Sequence, residues 1–236
     1  AGGGGGGGGR WGGTERGGEA RQVARKPWGG IGGGKEFCSL SGSHRKKAQA
    51  LEVANYVKSV LAREHAGAEV HLFSLGGNPL PLWDEATGGA PDELWNPISA
   101  ELKAADALVI ISPEWSGMAT PGVKNFLLNC TADEVGHKPA LIVTVSAGRG
   151  GSYPVAELRM SGTKNNRLAW LPEHVIVQHV EQNLNAPDDT TELSKEDATI
   201  RKRLRYALRL LEEYGKALRQ VRASGFIDHK TFKSGM

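Results

Sequence analysis

Ala107-Leu108-Val109-Ile110-Ile111-Ser112 and Ala140-Leu141-Ile142-Val143-Thr144-Val145 are the two stretches that decide the fold. Each is a run of aliphatic residues without the apolar–polar alternation of a half-exposed strand, as expected of strands buried on both faces. Weaker strand signals lie at Phe37–Leu40, Glu69–Leu75 and Val175–Val180. The segments between them read as helices. Residues 48–64 place Leu51, Ala54, Val57 and Leu61 every three or four positions, and residues 92–105 and 153–168 are also predicted helical. Thr120-Pro121 marks a helix start, with Thr as N-cap and Pro as first helical residue. Ser194 with Asp197 resembles a capping box, followed by a long helix with the stripe Ile200, Leu204, Ala207, Leu208, Leu211 and Leu218. Residues 76–91, rich in Gly and Pro, read as a loop. Five strands alternating with helices predict a parallel sheet covered on both faces. With right-handed crossovers this becomes a three-layer α/β sandwich, a five-stranded parallel sheet in the order 2-1-3-4-5.

Composition divides the chain. Of 33 glycines, 17 fall in residues 1–34. Residues 1–35 hold six Lys/Arg and two Asp/Glu, against 23 and 24 in the remainder. A near-neutral body gives no electrostatic reason to bind nucleic acid or an anionic membrane. No run approaches the ~20 apolar residues of a membrane span, and the basic leader lacks the apolar run of a secretory signal. Residues 1–34 are expected to be a disordered leader, either a nucleic-acid-binding arm of the Arg/Gly type or, the reading favoured, a non-native segment from a misplaced start. Residues 35–222 are expected to form the domain and 223–236 a tail. Gly29 to Lys35 imitates part of a Walker A loop, but Glu36 stands where Ser or Thr is required. Two cysteines, Cys38 and Cys130, are too few for a disulfide framework or a four-Cys metal site, so a reduced, cytoplasmic protein is expected. Asn129-Cys130-Thr131 matches a glycosylation sequon by chance on this reading. His137, His174 and His179 stand apart and read as structural or exposed. The basic run Arg201, Lys202, Arg203, Arg205 and Arg209 reads as a solvated helix face.

Ligands of such a sheet bind beyond the C-terminal strand ends, at the switch point. After the first strand comes Ser41-Gly42-Ser43-His44-Arg45, with Gln49 in the following helix. Hydroxyls, a helix start and a forked cation suit a phosphate, although a capped helix with solvated cations would look the same. After the third strand, Pro113-Glu114-Trp115-Ser116-Gly117 offers an aromatic wall and a tight turn, or else a Trp packed on its own sheet. After the fourth, Ala147-Gly148-Arg149-Gly150-Gly151 allows close backbone approach to a ligand, or is a flexible connection. Together on one rim, the three loops fit FMN.

At these residues the sequence resembles the NADPH-dependent FMN reductase family of flavodoxin-like proteins, from about Lys35 to Val180. Gly42-Ser43-His44-Arg45 is similar to the family's G-S-x-R phosphate loop. Pro113 to Gly117, continued by Pro121-Gly122-Val123-Lys124-Asn125, is similar to its P-E-[YW]-[NS]-[GH]…P-G-x-x-K-N segment, and Gly148 to Gly151 with Leu158-Arg159 to its third loop and helix. The resemblance implies that Ser41, Ser43, Arg45 and Gln49 hold the FMN phosphate. It places Pro113, Glu114, Trp115, Ser116 and Gly117 along the ring and ribityl chain, and Ala147, Gly148, Arg149, Gly150 and Gly151 at the pyrimidine edge. Ala48 and Ala50 stand where family members often carry Ser. The implied activity passes hydride from NADPH or NADH through flavin N5 to a small-molecule acceptor such as a quinone, azo compound or free flavin. No catalytic side chain and no metal is needed. A flavodoxin-type electron carrier and a flavin-sensing binding protein remain alternatives. His44, Arg45 and Arg149 are candidates for the NADPH 2′-phosphate. Leu80, Leu82, Trp83 and Trp95 point to a homodimer or homotetramer interface.

Overall fold

The computed structural model describes residues 35–77, 80–185 and 193–235. The expectation for residues 1–34 lies outside them. Along the chain run β1 (Lys35–Ser41), α1 (Gln49–Glu64), β2 (Ala68–Ser74), α2 (Asp92–Ala104), β3 (Ala107–Trp115), β4 (Met118–Ala119), α3 (Pro121–Asn129), α4 (Ala132–Val135), β5 (Pro139–Val145), α5 (Ser152–Arg159), β6 (Ala169–Val177) and α6 (Lys195–Ala223). The sheet order is β2-β1-β3-β5-β6, all parallel, with β4 paired antiparallel to β3 alone. Apart from that two-residue addition, this is the expected order.

The aliphatic runs fill both layers. On β3, Val109 and Ile111 face α1 and α6, whereas Leu108 and Ile110 face α2, α3 and α5. On β5, Leu141 and Val143 take the first side and Ile142 the second. The first strand, weak in sequence, is seven residues long because both its neighbours pair with it, from Lys35↔Ala68 to Ser41↔Ile111.

Three local expectations need correction. The predicted helix over 153–168 stops at Arg159, because Ser161 to Asn166 offers no apolar residue to bury. Gly162, at φ 69°, turns the chain there, and Leu168 N–H donates to its carbonyl at 3.0 Å. The last strand begins at Ala169, not Val175, and ends at Val177. Pro172 masked it in sequence, but β6 is an edge strand, where a missing N–H is tolerated. The expected start of α3 holds, with Thr120 as N-cap and Pro121 as first helical residue, although the threonine side chain makes no cap bond. Ser194 accepts the Asp197 N–H at 3.0 Å, but Asp197 does not complete the box. Its carboxylate instead takes the Leu184 N–H and Arg201 Nε, each at 3.0 Å.

The basic run is not a uniformly solvated face. Arg201 is 1 % exposed, its guanidinium 4.5 Å from the centre of the Tyr56 ring. Arg205 pairs with Glu64 at 2.7 Å, and Arg203 with Glu173. Asn129 is buried and bonded to Ala90 N–H and the Asn125 carbonyl, which explains why the sequon is incidental. His137 lies against His229, His174 against Arg159, and His179 donates its backbone N–H to Gly148.

Glu212 fastens α6 to the start of the sheet through Lys35 at 2.5 Å and to the end of α1 through the buried His65, and Lys216, one turn on along α6, pairs with it at 2.8 Å. Burial works against its charge, but hydrogen bonds from Lys216, Lys35 and His65 hold the carboxyl down at about 2, from an ordinary 4.5. A lowered folded-state pKa stabilises above the unfolded value and is lost as pH falls through the folded one. Glu212→Gln should therefore melt roughly 3 °C below wild type near neutrality, the effect of about 1 kcal/mol. The gap should narrow below pH 4.5 and close towards pH 2. A gap as wide at pH 3 as at pH 7 would show that the carboxylate charge is not what matters.

Candidate functional site

The three loops leave the C-terminal ends of β1, β3 and β5, adjacent strands in the order β1-β3-β5. Neighbouring strands alone would bring them to one rim; specific contacts then join them.

In the first loop, Gly42 donates to the Ile111 carbonyl at 2.8 Å, and its own carbonyl accepts from Thr120 Oγ1 at 2.6 Å. A Cβ on Gly42 would lie 2.2 Å from Val123 Cγ2 and 2.8 Å from that Ile111 oxygen. The loop is thus pressed onto β3 and α3 with no side-chain thickness between. Ser41 and Ser43 are buried, while Arg45 is exposed. Ser43 Oγ accepts the Arg45 N–H at 3.3 Å. Ser41 Oγ and Gln49 Oε1 are buried without a partner among the described residues. The N-cap of α1 is Ala48, which has no side chain to cap the helix. An uncapped helix start leaves N–H groups and a positive dipole end directed outward.

The second loop is a two-residue hairpin between Trp115 and Met118. Its turn residues Ser116 and Gly117 have φ 51° and 73°, the left-handed pair such a hairpin requires. Trp115 is half-buried at the rim rather than sunk in the sheet. His44 meets it edge-on at 5.9 Å, and the Arg45 guanidinium lies 5.4 Å from its ring centre. The first and second loops therefore touch. Pro113 lies buried beneath them.

Glu114 ties the second loop to the third, because its Oε2 accepts the Gly151 N–H at 2.5 Å. Gly150 lies so close that a Cβ there would be 2.5 Å from Glu114 Oε1. Gly151, at φ 113°, donates nothing further; its carbonyl takes Thr144 Oγ1 at 2.8 Å. Ala147, Gly148 and Arg149 are exposed at the loop's crest.

All the residues named in sequence thus gather at one rim. Several supporting residues were not named as site residues. Thr120 anchors Gly42, and Thr144 anchors Gly151. Glu157 holds the hairpin's end through the Ala119 N–H at 2.6 Å and pairs with Lys124. Burial opposes its charge, but Lys124 and the Ala119 N–H keep the Glu157 carboxyl below the ordinary range. A lone Thr in the otherwise aliphatic run Ala140 to Val145 was the one available signal for Thr144. Glu157 had none.

The rim fits the phosphorylated flavin expected from sequence. The first loop presents the buried, unpartnered Ser41 hydroxyl beside an uncapped helix start, which is the donor chemistry of an anion site, and the first residue of α1 adds a buried amide oxygen without a partner, Gln49 Oε1. An amide turned end for end offers its nitrogen in place of its oxygen. The close glycines at 150 and 151 keep the third loop free of side chains on the Glu114 side.

A family model described as NADPH-dependent FMN reductase matches residues 37–182. An NADPH azoreductase from Bacillus sp. (strain OY1-2) is 28 % identical over 113 residues. That alignment spans 48 % of this chain and 60 % of the relative, less than two thirds of its length. Among solved structures, FerB, a flavoenzyme NAD(P)H:(acceptor) oxidoreductase from Paracoccus denitrificans, superposes with a TM-score of 0.60 at 19 % identity. It covers 78 % of this chain and 98 % of its own. An oxidoreductase from Corynebacterium diphtheriae gives a TM-score of 0.59 at 17 % identity, covering 77 % and 96 %. At such identities the two structures establish a shared flavodoxin-like fold. Among the described residues no helix is long and apolar enough to cross a membrane.

Proposed function

The chain belongs to the NADPH-dependent FMN reductase family, and from that premise we propose that it is an FMN-dependent NAD(P)H oxidoreductase acting on a quinone, an azo compound or free flavin. The observation that carries this reading is the joining of three loops at one rim, Arg45 to Trp115 at 5.4 Å and Glu114 to Gly151 at 2.5 Å. Bound FMN would supply the hydride chemistry, accepting from NADPH or NADH and delivering to the acceptor.

The chain's own residues bind and orient. Ser41, Ser43, Gln49 and the open start of α1 receive the phosphate, and Arg45 neutralises it from the solvent side. Trp115, with the Ser116–Gly117 turn, forms the wall along the ring. The loop 147–151 approaches with backbone only. No side chain is required to move a proton to the reacting atoms. Were the nicotinamide donor and the acceptor to share one face of the bound flavin, the kinetics would be ping-pong. Leu82 and Leu94, 80 % and 48 % exposed, lie with Trp83 on the segment that supports the homodimer reading. Two buried, unpaired thiols, Cys38 pushed up to about 12 by burial, suit a reducing, cytoplasmic setting.

The test is direct. Purified protein mixed with FMN should quench flavin fluorescence, and anaerobic NADPH or NADH should then bleach the visible flavin band within a catalytic turnover time. Sluggish bleaching of bound flavin would favour the electron carrier, and no uptake of FMN would overturn the assignment.

A further inference from the structure

The loop after β5 is gripped along one side by groups outside all three motifs. The Gly148 carbonyl accepts the His179 N–H at 3.0 Å. Gln178 Nε2 donates to the Arg149 carbonyl and, at 3.4 Å, to that of Gly150. A planar trans peptide points the N–H of each residue away from the preceding carbonyl. Three carbonyls drawn towards the end of β6 therefore turn the N–H groups of Arg149, Gly150 and Gly151 the other way. The last of these confirms the direction, since it ends on Glu114 of β3 at 2.5 Å. The Arg149 and Gly150 N–H groups share that heading and meet no acceptor among the described residues. Successive N–H groups so aligned form an anion-seeking nest.

We propose that Gln178 is a positioning residue: by holding the Arg149 and Gly150 carbonyls, it aims their following N–H groups at the flavin's pyrimidine edge and so favours the reduced, electron-rich ring. This rests on the flavin reading above. Gln178 also lines a groove of about 420 Å³ with Ile176, Lys195, Glu196, Thr199 and Ile200. Its truncation opens onto that groove rather than leaving a void in the core.

The experiment compares wild type, Gln178→Ala and Gln178→Glu. It measures FMN affinity in the oxidised and reduced states, the midpoint potential, and amide hydrogen exchange of the apoprotein. Gln178→Ala should fold with an unfolding midpoint within about 3 °C of wild type, as one net hydrogen bond implies. Its preference for reduced over oxidised FMN should fall roughly tenfold, a midpoint about 30 mV more negative for a two-electron couple. The Gly151 amide should exchange faster in the apoprotein. Gln178→Glu, which sets a carboxylate against two carbonyls, should lose more. An unchanged midpoint in Gln178→Ala, or equal loss of affinity in both redox states, would overturn the inference while wild type still binds FMN. A wild type that takes up no FMN would overturn the flavin reading, and this inference with it.

Discussion

Arg201→Ala is expected to lower the thermal unfolding midpoint by roughly 10 °C, since stripping one partner from a buried ion pair costs about 3–5 kcal/mol and a domain of this size loses ~2–4 °C per kcal/mol. Arg201 is 1 % exposed and bonded through Nε to Asp197 at 3.0 Å, one turn back on α6. The same Asp197 oxygen accepts the Leu184 N–H at 3.0 Å. The pair thus joins the helix start to the segment after β6, and the guanidinium over Tyr56, at 4.5 Å, joins it to α1. Removing the cation leaves the Asp197 carboxylate buried against a single amide and takes the flat contact from Tyr56. Arg201→Met keeps most of the volume and still strands the carboxylate, so it should lose nearly as much. Asp197→Asn combined with Arg201→Met should recover a large part, because neither charge then remains to be desolvated. Calorimetry or circular dichroism at pH 7 reads the series. An Arg201→Ala midpoint within about 2 °C of wild type would mean that the pair is worth no more than a surface bridge.

That arginine also shows where sequence stops being informative. A run of cations on a helix with acidic neighbours carries no mark of which one turns inward. Arg201 lies one position beyond Ile200 in the apolar stripe, and burial is decided by the Tyr56 ring, arriving from α1, and by Asp197 one turn back, whose carboxylate is itself fixed by the Leu184 N–H. The sheet was legible because its central strands are buried on both faces, and Val109, Ile110, Leu141 and Ile142 write that burial as unbroken aliphatic runs. The edge strand β6 carries Pro172 and half-exposed positions, so only its end was visible. The candidate site divides the same way. Ser41, Arg45, Trp115 and the glycines at 148, 150 and 151 were readable because each loop follows a recognised strand. Glu114 was readable as a site residue, but its grip on the Gly151 N–H was not. Thr120, Glu157 and Gln178 act on backbone groups far away in sequence, and no local pattern encodes a partner at that distance.

Gly42→Ala should weaken FMN binding about 100-fold, the equivalent of ~3 kcal/mol, and destabilise the apoprotein by a comparable amount. The added methyl carbon would stand 2.2 Å from Val123 Cγ2 and 2.8 Å from the Ile111 carbonyl oxygen. Val123 meets the methyl with a side chain, which a smaller residue would remove; the carbonyl cannot give way, because it belongs to β3 in the middle of the sheet and is the acceptor of the Gly42 N–H at 2.8 Å. The loop must therefore lift, and lifting stretches the 2.6 Å bond from Thr120 to the Gly42 carbonyl. Ser41, Ser43 and Arg45 travel with it, away from the open start of α1, so the phosphate loses several donors together. Gly42→Ala with Val123→Ala separates the two clashes: it removes the side-chain overlap and leaves the backbone one, and should restore less than half of the lost affinity. Gly148→Ala is the contrast for folding, since a Cβ there meets nothing within 4 Å, and its apoprotein should melt with wild type. Titration of apoprotein into FMN, read by fluorescence, measures the loss. Binding within threefold of wild type would show that the first loop does not carry the phosphate.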